Sequence, residues 1–228
     1  MVVAWFWLAS ELGWGPTING RTAMYLYLLA AVPILFVPVI YAIAPVGSAW
    51  HTAYFARLME YGHTLMVPLI LIVLPSLWRL RGISTPAKSA LVASFFLFAT
   101  GGVLAYMIKG VNVVIPAHYH GSIVGVTLAF MGLTYVLLPR LGYASVEGRM
   151  ARWQPYVYGG GQLTHILGLA WSGGYGVQRK VAGAEQVLRS TSEVAGMGLM
   201  GLGGLIAIIG GLLFVVVVWR ALKPVSTP

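Results

Sequence analysis

The sequence predicts an all-α integral membrane protein with about six transmembrane helices. Two features of the composition lead to that fold class: 59% of the 228 residues are hydrophobic, and only 8% are charged. A soluble domain carries about 25% charged residues, so this chain has too few charges to cover a surface in water. Each bilayer crossing needs about 20 apolar residues, and apolar runs of near that length recur along the chain.

The apolar runs follow one another with short polar segments between them. Val2–Trp14 is apolar but too short to cross a bilayer comfortably, and Gly15-Pro16 and Asn19-Gly20 mark a turn after it. The predicted spans that follow are Thr22–Ala44, Tyr54–Leu80, Ala90–Ile108, Ile115–Leu138, Pro155–Trp171 and Val194–Trp219. They predict one helical membrane domain over 1–228, with no room for a soluble domain.

The charge of the chain agrees with a membrane location. The formal net charge is +9, and in a membrane protein an excess of Lys and Arg marks the cytoplasmic loops rather than nucleic-acid binding. If the Gly15–Arg21 loop is cytoplasmic, that side holds Arg21, Arg79, Arg81, Lys88, Arg140, Arg149, Arg152, Arg220 and Lys223. The sequence contains no Cys, which excludes disulfides, thiolate metal sites and covalently attached c-type haem in this chain.

Two histidines at the entry of an apolar helix are the strongest candidates for chemistry. His118 and His120 lie in the segment PAHYHG, and ionisable residues within a membrane are functional by default. Residues two apart on a helix point about 200° apart, so the two rings face opposite sides and each is able to ligate a separate haem. The structural alternative is a pair of histidines at the membrane interface, hydrogen-bonded to backbone.

The surrounding sequence resembles a known family. The run from Phe95 to Tyr143, FFLFATGGVLAYMIKGVNVVIPAHYHGSIVGVTLAFMGLTYVLLPRLGY, resembles the ninth and tenth helices of the haem–copper oxidase catalytic subunit. The whole chain is similar to helices six to twelve of that subunit. In the family a His-x-His pair ligates both haems. The resemblance therefore implies that His118 binds the high-spin haem iron and His120 the low-spin haem iron.

The resemblance continues into a loop with two basic residues. The segment LTHILGLAWSGGYGVQRKVAG is similar to the family's eleventh helix and the loop after it, where a basic pair binds haem propionates. Arg179 and Lys180 match that pair, with Lys in place of the usual second Arg. Lys acts as a point charge and Arg as a bidentate clamp, so this contact is weaker. His165 lies in the helix, and we interpret it as a packed or propionate-proximal histidine.

The chain departs from the family at the copper site. The family's seventh helix supplies two adjacent copper-ligating histidines, and Ala42 and Ile43 stand at those positions. Ala4 stands at the position of a catalytic tyrosine of the sixth helix, and Gly110 and Val111 replace a magnesium site. The family's first five helices, which include the second ligand of the low-spin haem, match no part of this sequence. We therefore expect no copper in this chain.

The remaining histidines give weaker signals. His63 follows Glu60 with the Glu-x-x-His spacing of di-iron bundles, but those need a second such motif and further Glu, and the chain has only five acidic residues. A charged or hydrogen-bonded pair near the end of the span is the preferred interpretation, with a haem or metal ligand as the alternative. His51 is predicted to lie solvated in a loop.

Three functions compete at this stage. The first is a haem-binding subunit that relays electrons from a donor such as cytochrome c or quinol. A membrane partner would supply the other helices and a second haem-ligating histidine. The second is the C-terminal half of a split oxygen or nitric oxide reductase, and the third is a structural subunit without haem. His118, His120 and Arg179 argue against the third. The expected location is the prokaryotic cytoplasmic membrane, with lipid around the helices.

Overall fold

In a computed structural model, which describes residues 1–16, 18–181 and 187–223, the chain is helical. The helices are α1 (Val2–Glu11), α2 (Gly20–Ile43), α3 (Ala49–Gly62), α4 (Val67–Arg79), α5 (Pro86–Tyr106), α6 (Val114–Arg140), α7 (Arg149–Gly174) and α8 (Thr191–Ala221). A 3₁₀ turn at His63–Met66 joins α3 to α4. The described residues contain no β-strand, only an isolated bridge between Asn112 and Gln178.

In the described part of the chain, five helical segments are long and apolar enough to cross a membrane: α2, α3 with α4, α5, α6 and α8. An all-helical membrane protein is therefore confirmed, while the predicted count of about six spans is not. The difference is α7, which the sequence predicts as the span Pro155–Trp171. It is 26 residues long, but its first turns carry Arg149, Arg152 and Gln154 and lower its apolar character.

The chain divides into two compact units. The larger holds residues 3–12 and everything from Leu80 onward, and the smaller holds Gly13–Arg79. In the smaller unit α2, α3 and α4 pack together, and Ile40 is the one fully buried residue of α2. Pro68 lies just after the 3₁₀ turn. Proline has no N–H to continue an α-helical ladder, which explains why the predicted span Tyr54–Leu80 is interrupted there. The prediction of one domain over 1–228 stays a prediction.

In the larger unit α5, α6 and α7 contact one another and α8 lies along α7. The α5–α6 contact is very close, because a Cβ atom on Gly101 would lie only 2.6 Å from the amide nitrogen of Ser122. The α7–α8 contact is equally close: a Cβ atom on Gly161 would lie 2.9 Å from the carbonyl oxygen of Gly203. Small residues allow such close approach of membrane helices.

The small residues of α8 are therefore used within the chain. Gly203 and Ala207 both contact the backbone of α7, and a Cβ atom on Gly211 would lie 3.9 Å from the Tyr158 ring. Packing inside the larger unit therefore accounts for Gly203 and Ala207, because the backbone of α7 occupies that face of α8.

Buried polar side chains fix the helices of the larger unit against one another. The Trp5 indole N–H donates to Ser94 Oγ (2.8 Å), and that hydroxyl donates to the Gly125 carbonyl (2.5 Å). The Tyr135 hydroxyl donates to Gln154 Oε1 (2.6 Å). A buried polar group costs free energy unless it is hydrogen-bonded, so α1, α5, α6 and α7 are held in one register by these bonds.

Candidate haem-ligating site

The candidate site lies at the N-terminal end of α6. Asn112 precedes the helix, and its side-chain oxygen accepts the Val114 N–H at 3.0 Å, which satisfies one of the free donors that begin every helix. The Val113 N–H donates to the Val177 carbonyl at 3.0 Å. This bond holds the segment after α7 against the start of α6, one turn away from His118.

His118 is half-buried and directed towards α5. Its Nδ1 atom lies 2.8 Å from the carbonyl oxygen of Gly101. Because a carbonyl only accepts, Nδ1 carries the proton, and the lone pair is on Nε2. Ser122 Oγ lies 3.5 Å from the same Nδ1, at the limit of a hydrogen bond. The arrangement matches that of metal-ligating histidines, in which a backbone carbonyl fixes the tautomer and the orientation of the ring.

His120 is exposed and directed towards α7. Its ring centroid lies 4.8 Å from that of His165, with the ring planes 65° apart. The prediction that His118 and His120 point to different sides of the helix agrees with this geometry. His165 is itself oriented by α8, because its Nδ1 lies 2.9 Å from the Met200 carbonyl oxygen. Its lone pair is therefore also on Nε2.

The contact between the His120 and His165 rings is edge to face. A neutral imidazole is able to bind haem iron, so both residues are candidate ligands in this part of the larger unit.

The basic pair lies at the same end of the larger unit. Gln178 forms the β-bridge to Asn112, and Arg179 and Lys180 follow it directly. Arg179 is half-exposed and Lys180 is exposed. Lys180 has φ of 62°, a left-handed conformation that non-glycine residues adopt uncommonly. Within the described part of the chain neither side chain forms a hydrogen bond or an ion pair.

The other histidines belong to the smaller unit. His51 lies in α3, not in a loop as predicted, and it is half-buried. Its Nδ1 lies 3.2 Å from the Ala44 carbonyl oxygen at the end of α2, and its ring packs between Tyr41 and Phe55 at 5.1 Å and 4.9 Å. Ser48 caps α3 by accepting the His51 N–H. This cap, a serine at the start of a helix, is the sequence signal that would have placed His51 in the helix.

His63 and Glu60 lie at the break between α3 and α4. His63 Nδ1 lies 2.8 Å from the Met59 carbonyl oxygen, and the Glu60 carboxylate pairs with Arg57 at 3.3 Å. Among the residues described, no three or more His, Cys, Asp or Glu side chains converge on a point where they would hold a metal ion. A haem iron takes only one or two axial ligands from protein, so that finding leaves the α6 histidines as candidates.

Two backbone groups at the site were not anticipated from the sequence. The carbonyls of Gly101 and Met200 orient His118 and His165. The Gly101-Gly102 pair was an available signal, because glycine in a membrane helix marks a close approach of a neighbouring backbone. Met200 has no such signal, since any residue type supplies a carbonyl.

The chain is similar to bacterial proteins of unassigned function. No protein-family model matches it. Over 139 residues, 56% of the chain, it is 42% identical to an uncharacterized protein of Rickettsia prowazekii (strain Madrid E), and the match covers 27% of that protein. Over 69 residues it is 35% identical to an uncharacterized protein of Aquifex aeolicus (strain VF5), covering 30% of this chain and 18% of that one. The matches therefore span less than a third of these relatives.

Proposed function

We propose that this chain is a haem-binding subunit of a respiratory electron-transfer complex of the haem–copper oxidase type, in the prokaryotic cytoplasmic membrane. The observation that carries the proposal is the pair of imidazoles on α6. His118 donates its Nδ1 proton to the Gly101 carbonyl at 2.8 Å, and His120 points to another side, 4.8 Å from the ring of His165. A single helix thus offers two separate axial ligands.

Each residue of the site has a role in this proposal. His118 ligates a high-spin haem and His120 a low-spin haem, and Arg179 with Lys180 neutralises propionates at the same end. His165 lies beside His120 and limits its rotation. Further along α6 from His120, Ile123 and Phe130 are 64% and 54% exposed. They provide an apolar surface that would keep water away from the haem ring. When bound, the haem supplies one-electron transfer.

A partner completes the site. His120 is exposed, so its ring is accessible to a residue of another chain. We therefore assign the second haem-ligating histidine and the remaining helices to a membrane partner, with cytochrome c or quinol as the electron donor; His165 is the alternative second ligand within this chain. Ala42 and Ile43, at the C-terminal end of α2, have no side-chain nitrogen that would bind copper. This favours electron relay over oxygen reduction by this chain.

The alternative is the C-terminal half of a split oxygen or nitric oxide reductase, whose active site another chain completes. The resemblance of the Phe95–Tyr143 segment to the family's catalytic subunit favours it. The two functions differ in metal content. A complex that only relays electrons contains haem but no copper or second iron beside it. A reductase contains one such second metal, copper or iron, for each high-spin haem, and the other chain binds it.

The test uses the complex purified with its native partner. We expect His120→Ala to remove the six-coordinate low-spin haem spectrum and His118→Ala to remove the high-spin spectrum, with pyridine haemochrome measuring the haem lost. His51→Ala is the matched control, because His51 belongs to the other unit and should keep the full haem content. Full haem in both α6 variants would contradict the proposal. Metal analysis of the same sample separates the relay from the reductase.

A further inference from the structure

One end of the larger unit collects the basic residues of four helices. α5 and α7 begin at this end, and α6 and α8 finish there. Two hydrogen bonds show that the ends meet: Arg152 Nη1 donates to Ser84 Oγ at 3.2 Å, and the Ala144 N–H donates to the Ala221 carbonyl at 3.1 Å. The loops between these helices therefore form one continuous surface.

This surface carries a strong excess of positive charge. Its cations are Arg81, Lys88, Arg140, Arg149, Arg152, Arg220 and Lys223, and its carboxylates are Glu11 and Glu147. One of the two carboxylates is already paired, because Glu11 Oε1 lies 2.6 Å from Arg140 Nη2. The remaining cations outnumber the single remaining carboxylate, so the surface is complementary to an anionic one.

Two of the cations meet on the loop that precedes α5. The Lys88 ammonium donates to the Arg81 carbonyl at 2.8 Å, while the Arg152 guanidinium donates to Ser84 Oγ, three residues further along the same loop. Both acceptors are uncharged oxygen atoms, so these bonds fix the positions of the two cations without neutralising them. Arg152 is exposed and Lys88 is half-buried. We call Lys88 and Arg152 the basic cluster.

Two tryptophans place this end of the unit at the membrane–water interface. Trp153 and Trp219 are 58% and 76% exposed, and each is adjacent in sequence to a basic residue of the same surface. Tryptophan is enriched where the hydrocarbon core meets the headgroups. The two tryptophans therefore favour a position of the basic cluster near the lipid phosphates.

We propose that the basic cluster binds the phosphate of an anionic phospholipid headgroup. Lys and Arg near an anionic leaflet attract its lipids, and basic recesses between membrane helices hold lipid headgroups. The charge complementarity and the flanking tryptophans favour a lipid over a soluble anion. The site is independent of haem, because none of its residues belongs to the histidine site at the opposite end of α6.

The test measures lipid retained by the purified protein in nanodiscs of phosphatidylcholine containing a small fraction of phosphatidylglycerol. Native mass spectrometry counts the phosphatidylglycerol that stays bound. We expect Lys88→Gln and Arg152→Gln each to lower its affinity roughly fivefold, which corresponds to about 1 kcal/mol per charge. The control pair Lys109→Gln and Arg189→Gln, at the opposite end of the unit, should leave retention unchanged.

Two further measurements keep the result interpretable. If the cluster variants fail to fold, retention by the unaltered protein is measured against salt; a loss of phosphatidylglycerol with rising salt supports the site, since screening weakens exposed charge pairs. Inorganic phosphate is then added as a competitor, and displacement of the lipid at millimolar phosphate would assign the site to free phosphate instead. Equal losses in the cluster and control variants, or retention that is insensitive to salt, would overturn the proposal.

Discussion

Replacing Gly101 by alanine tests whether the α5–α6 contact holds the histidine site in place. A Cβ atom at this position would lie 2.6 Å from the Ser122 amide nitrogen and 2.7 Å from the Gly121 carbonyl carbon. Both are backbone atoms, which cannot move aside as a flexible side chain would. The two helices must therefore separate at the point where the Gly101 carbonyl accepts the His118 proton.

The magnitude follows from these distances. Lengthening the 2.6 Å contact to an ordinary 3.4 Å requires a shift of roughly 0.8 Å. The same shift would stretch the 2.8 Å bond between His118 and the Gly101 carbonyl to roughly 3.6 Å, which is no longer a hydrogen bond. Overpacking costs about 1–3 kcal/mol and the lost bond about 0.5–1.5 kcal/mol, so the free energy of unfolding should fall by about 1.5–4.5 kcal/mol.

Gly102→Ala is the matched control, because nothing lies within 4 Å of a Cβ atom there. Alanine is favoured over glycine in a helix interior by about 0.5–1 kcal/mol, so this variant should be as stable as the parent or slightly more so. Unfolding in detergent gives the stabilities, and under the proposed function the high-spin haem spectrum of the purified complex reports on His118. Equal stability of the two variants would refute the close contact. A destabilised Gly101→Ala protein with an unchanged high-spin spectrum would refute the role of the carbonyl.

Two further predictions concern residues outside the proposed haem site. Tyr135→Phe should lower the free energy of unfolding by about 1–3 kcal/mol, because it leaves buried Gln154 Oε1 without its 2.6 Å donor. Chemical denaturation of this variant beside the control Tyr143→Phe measures the difference, and equal midpoints would contradict the prediction. His51→Ala should lower the free energy of unfolding by about 1 kcal/mol, because the hydrogen bond to the Ala44 carbonyl is lost. Under the proposed function its haem content stays constant, and a loss of haem in the folded variant would contradict the exclusion of His51 from the proposed haem site.

The sequence predicted the helices because the membrane signal is local. The predicted span Thr22–Ala44 became Gly20–Ile43, and Ile115–Leu138 became Val114–Arg140. Apolar side chains must cover every turn that faces lipid, so each run marks its own helix. The signal failed at α7, where the predicted span Pro155–Trp171 begins six residues late. Gln154 is polar, so in the sequence it is typical of a loop. In the structure it is buried, because Tyr135 of α6 and the Gly210 carbonyl of α8 provide its hydrogen-bond partners.

The sequence by itself determined the helical class and the opposite directions of His118 and His120, since both follow from hydropathy and the fixed rotation of a helix per residue. Only the tertiary structure decided what each imidazole meets: Gly101 on α5 for one, and His165 on α7 for the other. The physical reason is that lipid provides no hydrophobic force between helices. Their pairing depends on close packing of small residues, and the fit of one backbone against another is encoded by residues far apart in the chain.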